Sequence, residues 1–204
     1  GTGTVLTSGY AYTVGSSNIN MYPKWSANTY TVSFVANGAS GLPSASSASY
    51  TSGGTAVTLP SVGTMAKTGF SFNGWATTSN GSPLSGGFTT TSDVTLYALW
   101  TAVNYTITYN SNGGLTTPIQ SPLTMGQQFT LASGITKPNG PNNEVYAFTG
   151  WSDGASTWQP AASYLVGTSN ISLSAVWVQV FEVNYVMNGA ATAKPSNILK
   201  NDGD

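Results

Sequence analysis

The sequence predicts a mainly β protein: small tandem modules of about 75 residues, each with at most a short helix, stacked in a rod. Three observations predict it. Sequence markers recur at one fixed period along the chain. Within each marker, large apolar residues alternate with Ser and Thr, the period of a strand with one buried face. No window sustains a helical period, and helix formers such as Glu, Lys, Arg and Gln are scarce.

The first marker is a front strand closed by Asn-Gly. Tyr30, Val32 and Phe34 share one face against Thr31 and Ser33, and Asn37-Gly38 follows. Tyr105, Ile107 and Tyr109 precede Asn112-Gly113, and Phe181, Val183 and Tyr185 precede Asn188-Gly189. The Asn residues lie 75 and 76 positions apart. Asn-Gly tolerates positive φ, so a tight turn is expected at each. Short strands follow at Val57-Thr-Leu59 and Phe129-Thr-Leu131.

The second marker is Phe-x-Gly-Trp, at Phe72 to Trp75 and Phe148 to Trp151. Phe70 and Phe72 alternate correctly, but Trp75 falls on the wrong parity after Gly74, and Gly150 precedes Trp151 in the same way. An extra residue at a glycine predicts a β-bulge that turns the Trp back into the core. The variable stretches 76–88 and 152–163 are where a short helix would fit.

The third marker is a closing strand ending in Trp: Ile19 to Trp25, Val94 to Trp100 and Ile171 to Trp177. Asn18, Asp93 and Asn170 stand just before these strands, as loop-end residues. Together the markers delimit four segments. Residues 1–26 match the back part of a repeat, 27–101 and 102–178 are full modules, and 179–204 match a front part. The chain lacks an initial Met and a signal-peptide pattern, so it is expected to be an interior piece of a longer array. Trp100-Thr-Ala-Val-Asn-Tyr105 leads directly from one module into the next, which favours a stiff rod.

Composition excludes several functions. Of 204 residues, 5% are charged, with five Lys, no Arg, no His and no Cys. Zinc, haem and iron–sulfur centres draw on Cys or His. Serine and cysteine triads need a histidine base. A nucleic-acid surface needs a basic footprint. No apolar run reaches the ~18 residues of a membrane span. No catalytic residue, cofactor, metal, nucleic-acid partner or membrane insertion is therefore expected within this segment. Solubility resting on hydroxyls and amides, at 40% hydrophobic content, is associated with extracellular bacterial proteins.

The motifs Asn112-Gly113-Gly114, Leu59-Pro60, Gly69-Phe70-Ser71-Phe72-Asn73-Gly74-Trp75 and Leu96-Tyr97-Ala98-Leu99-Trp100 resemble those of the Listeria–Bacteroides repeat family, the internalin B-repeat. The resemblance covers essentially the whole chain. It departs at Ala39, which replaces a second Gly, at additional residues near Asn139–Asn143, and at Leu173-Ser-Ala-Val-Trp177, which lacks the Tyr. The resemblance implies a β-grasp-like module, tandem occurrence on secreted and cell-wall proteins of bacteria, and stalk, spacer or adhesive roles without catalysis.

Simple packing competes with a functional role at each candidate site. Trp25, Trp75, Trp100, Trp151 and Trp177 recur in register and read as core, because a small module without disulfides needs large apolar burial. Trp158 has no sequence equivalent in the first full module and lies among polar residues, where it would stack on a sugar ring. Trp158 and Tyr97 are the candidate ligand contacts. Glu144 and Asp153 flank the second Phe-x-Gly-Trp, but paired catalysis by these carboxylates is disfavoured, and they read as loop charges. Asn201-Asp202-Gly203-Asp204 faintly resembles a calcium loop but falls in the register of a turn.

The expected function is a non-enzymatic stalk or spacer in a secreted or cell-surface, adhesin-like bacterial protein. Its partners are the neighbouring repeats. The alternatives are a module that binds a glycan or a host surface protein through exposed aromatics, and a self-assembling fibre subunit using strand addition.

Overall fold

A computed structural model describes residues 4–183 and 198–201 of the chain. Every regular element is a strand: β1 (Thr29–Val35), β2 (Ser47–Thr51), β3 (Phe70–Ala76), β4 (Val94–Ala102), β5 (Asn104–Tyr105), β6 (Ile107–Asn110), β7 (Leu123–Thr124), β8 (Gln128–Thr130), β9 (Val145–Ser152), β10 (Thr157–Trp158), β11 (Ser163–Leu165), β12 (Ile171–Val183) and β13 (Ile198–Asn201). The described residues contain no helix. In 152–163, Asp153 folds back on the amides of Ala155 and Ser156, Gly154 adopts φ 94° and Pro160 follows, so turns and β10 replace helical hydrogen bonding.

Contacts divide the described residues into two compact units, the first within 4–66 and 72–99, the second within 67–71, 100–183 and 198–201. The first holds a four-stranded sheet in the order β2-β1-β4-β3. β1 pairs antiparallel with β2, and parallel with β4 so that Val32 lies opposite Val94 and Phe34 opposite Leu96. The alternation read from the sequence holds. Val32, Phe34, Leu96 and Ala98 are buried, together with Tyr50, Val57 and Met65. Phe34 meets Trp75 edge-on at 5.0 Å between ring centroids.

The second unit repeats this plan with modifications. β12 lies between β9, which is antiparallel, and β6, which runs parallel along Ile171–Ser174. β13 pairs with Val180 to Val183. The front strand is split into β5 and β6 at Thr106, whose amide hydrogen-bonds to Asn170 Oδ1 at 2.9 Å. Ile107, Leu131, Ile135, Trp151, Val166, Ile171, Leu173 and Ala175 form the core.

Two of the three expected Asn-Gly turns are present in the described residues. Asn37 and Asn112 adopt φ 51° and 47°, and Gly38 and Gly113 φ 84° and 87°. The bulge is present in β9: Val176 lies opposite Gly150 but Trp177 opposite Phe148, leaving Thr149 as the extra residue. Trp151, just past that bulge, is 0% exposed, and Trp75 in the first unit is 1% exposed. The Phe129 strand forms as β8, paired with β11, whereas Val57 makes only a single bridge to Phe88.

One expectation is corrected. Trp25 does not pack in a core; it is 88% exposed, and residues 4–28 carry no strand. β4 and β12 are each held between a parallel front strand and a Phe-x-Gly-Trp strand, and in this sequence no such pair precedes Ile19 to Trp25. The third front marker, Tyr185 with Asn188-Gly189, lies outside the described residues.

Candidate functional site

Trp158 enters the second unit through β10, which places it opposite Trp151 of β9. Its ring meets Tyr164 edge-on at 4.8 Å, and Tyr164 lies 5.6 Å from Phe129. All three are half-buried and pack against the core. The ring therefore packs on its neighbours while staying partly exposed. Burial, followed by the negative charge of Asp153, raises the pKa of the Tyr164 hydroxyl above its ordinary value.

A counterpart exists in the first unit that sequence comparison missed. Leu84 donates its amide to the Trp75 carbonyl at 2.7 Å, and Val57 bridges Phe88. Val57, Leu84 and Phe88 occupy the comparable places to Phe129, Trp158 and Tyr164. The loop from Trp75 to Leu84 is longer than that from Trp151 to Trp158, which hides the correspondence in an ungapped reading.

Tyr97 belongs to the first unit, on β4. It stands opposite Val35 and shares its face with Thr95, away from buried Leu96 and Ala98. Tyr97 is half-buried. Along the same sheet lies an open recess of about 380 Å³ lined by Thr31, Ser33, Asp93, Val94 and Thr95. Its carboxylate is already engaged, since Asp93 Oδ1 accepts the Thr31 amide at 2.7 Å. In the second unit the place of Tyr97 is taken by Ser174, opposite Asn110.

The two flanking carboxylates each close a turn. Glu144 accepts from the Asn142 amide at 2.9 Å and from its side chain at 3.0 Å. Its own backbone N–H, then those Asn142 groups, hold its pKa below the ordinary carboxylate range. Asp153 Oδ1 accepts from Ser156 at 2.8 Å and Ala155 at 2.9 Å, which lowers its pKa likewise. Asp153 is exposed and Glu144 half-exposed. Among the described residues no group of three His, Cys, Asp or Glu side chains is placed to hold a metal ion. Asp202 and Asp204 lie outside the described residues.

The side chains that recur in both units serve the frame. Asn37 Nδ2 donates to the Ala98 carbonyl and to that of Ser79, each at 2.8 Å. Asn112 Nδ2 donates to the Ala175 carbonyl at 3.2 Å. Asp93 and Asn170 receive the front-strand amides of Thr31 and Thr106. Trp75 and Trp151 donate their indole N–H to the carbonyls of Pro60 and Ala132, both at 2.7 Å.

These features define a class, an array of all-β repeat modules of about 70 residues whose shared polar residues hold strands together. The chain belongs to the Listeria-Bacteroides repeat domain family, which it matches twice, over residues 30–99 and 105–176. It is similar to two proteins of Evansella cellulosilytica named as membrane proteins. One, described as Gly-rich, is 31% identical over 86% of this chain and 19% of its own length; the other is 30% identical over 85% and 25%. It is also distantly similar to Internalin H of Listeria monocytogenes serovar 1/2a, 34% identical over 53% of this chain and 19% of that protein. The chain thus spans about a fifth to a quarter of these relatives. No solved structure matches it.

Proposed function

We propose that this chain is a non-enzymatic spacer, a stalk segment of a bacterial cell-surface or secreted protein. The observation that carries the reading is the repetition itself. Two modules with one strand plan follow each other with only Val103 between β4 and β5. The polar residues common to both are engaged in contacts between strands. The names of the relatives, membrane proteins and an internalin, support a cell-surface location. The sheet order β2-β1-β4-β3 around a central parallel pair supports a β-grasp-like module. A one-residue connection supports end-to-end stacking, each repeat having its neighbours as partners.

Small-angle scattering of the dilute chain, run beside a glycan panel and a cell-binding assay, tests this. An elongated particle that binds neither glycans nor cells is expected. Specific binding abolished by Trp158→Ala or Tyr97→Ala overturns the reading in favour of an adhesion module.

A further inference from the structure

Strand β2 ends the first sheet, and among the described residues no strand pairs with its outer side. Phe34 donates to Ser46, and Ser52 donates to Asn28, at 2.9 and 2.8 Å. In an antiparallel ladder this phase turns the backbone groups of Ala48 and Tyr50 toward β1, and those of Ser47 and Ser49 outward. Ser47, Ser49 and Thr51 are all exposed.

Natural edges of this kind are usually blunted by charge, proline or a bulge. This one has none of these. No charged residue occurs between Lys24 and Lys67, and β2 reads Ser-Ala-Ser-Tyr-Thr. The second module is different. There only Leu123 and Thr124 pair with the front strand, Thr124 opposite Asn104 as Thr51 is opposite Thr29. Two residues back, in the place of Ser49, stands Pro122, which has no amide to offer, and Pro118 precedes it.

We propose that the β2 edge of the first module is a self-association surface, which pairs antiparallel with the β2 edge of a second copy. The edge is self-complementary. Setting Ser47 opposite Ser49 of the second copy forms about four backbone hydrogen bonds around a two-fold axis and leaves the Thr51 carbonyl to the Gly54 amide it already accepts. Ala48 then faces Ala48 across the axis, so no large side chain intervenes, and no like charges meet. So few bonds give weak pairing, effective where chains are crowded. The inference is independent of the spacer reading, whose test is made on dilute monomers.

Sedimentation velocity over a wide concentration range tests it on the whole chain. The weight-average mass is expected to rise with concentration toward that of two chains. Ser49→Pro, which copies the second module, and Ser47→Lys, which leaves the backbone donors in place, are each expected to weaken association at least tenfold. Far-UV circular dichroism checks that both variants are folded. Amide exchange at Ser47 and Ser49 is expected to slow as wild-type concentration rises. A wild-type chain that stays monomeric at the highest concentration overturns the proposal. So does association that both folded variants retain, because it would then use another surface.

Discussion

The side-chain amide of Asn37 donates to the main-chain carbonyl of Ala98, 2.8 Å away and 61 residues later in the chain. Asn112 and Ala175 repeat the bond at 3.2 Å. The residue that makes the turn after the front strand thus also holds the closing strand. Asn fits both tasks, since it tolerates positive φ and carries a donor. Asn37→Ala is expected to cost about 2–3 kcal/mol, from the left-handed conformation and the lost bonds to Ala98 and Ser79. Asn37→Gly removes only the bonds and should cost less. Urea denaturation of the whole chain, comparing the two variants, checks the order.

The two glycines that precede Trp75 and Trp151 are expected to differ. Gly150 has φ 149°, and a Cβ there would run into the Trp158 carbonyl. Gly74 has φ 109°, and a Cβ there would meet Pro83 Cβ at 3.5 Å, an ordinary contact. Gly150→Ala should therefore lose about 3 kcal/mol or more, and Gly74→Ala about 1–2 kcal/mol. Equal losses in denaturation would show that the steric contact at Gly150 carries no weight.

Trp158→Ala is expected to destabilise the second unit by about 2–3 kcal/mol, because the ring packs on Tyr164 and the core. Trp158→Leu, which imitates Leu84, should recover part of the loss. Thermal unfolding of the two variants distinguishes this packing role from a surface role, in which neither change would move the transition.

The Asp153 carboxylate sets an acid dependence. Its folded-state pKa is lowered by the Ser156 and Ala155 amides. Its contribution is complete above the unfolded-state value, about 4, and is lost as pH falls through the folded value. Asp153→Asn should flatten the decline of the melting temperature below about pH 4, leaving the rest, including the contribution of Glu144, in place. The comparison needs only melting curves across acid pH.

Much of this structure was legible in the residues. Period-two alternation located β1 and β4, Asn-Gly located two turns, and the displaced parity of Trp151 located the bulge in β9. These signals are local, so a strand or turn announces itself. Trp25 shows where local reading ends. It carries the marker of its register, yet burial depends on strands supplied from elsewhere in the chain. Trp158 shows a second boundary. Its counterpart is Leu84, a different residue at a different loop length, and only the hydrogen bond to Trp75 reveals it. The roles of Asp93 and Asn170 were legible as loop ends but not as acceptors for Thr31 and Thr106, which lie more than sixty residues away.

In each module the strand that opens it and the strand that closes it lie side by side and run the same way, β1 with β4 and β6 with β12. Tension along the polypeptide therefore drags the two strands past each other in opposite directions. The hydrogen bonds between them carry that load together, in shear, where a hairpin would surrender them one after another. A segment held between a cell and its surroundings would act as a chain of mechanical locks. Single-molecule pulling is expected to show one force peak for each of the two modules, with the first lowered when Asn37→Ala removes the link from the turn to β4. A smooth extension without peaks would show that the parallel pair bears no load.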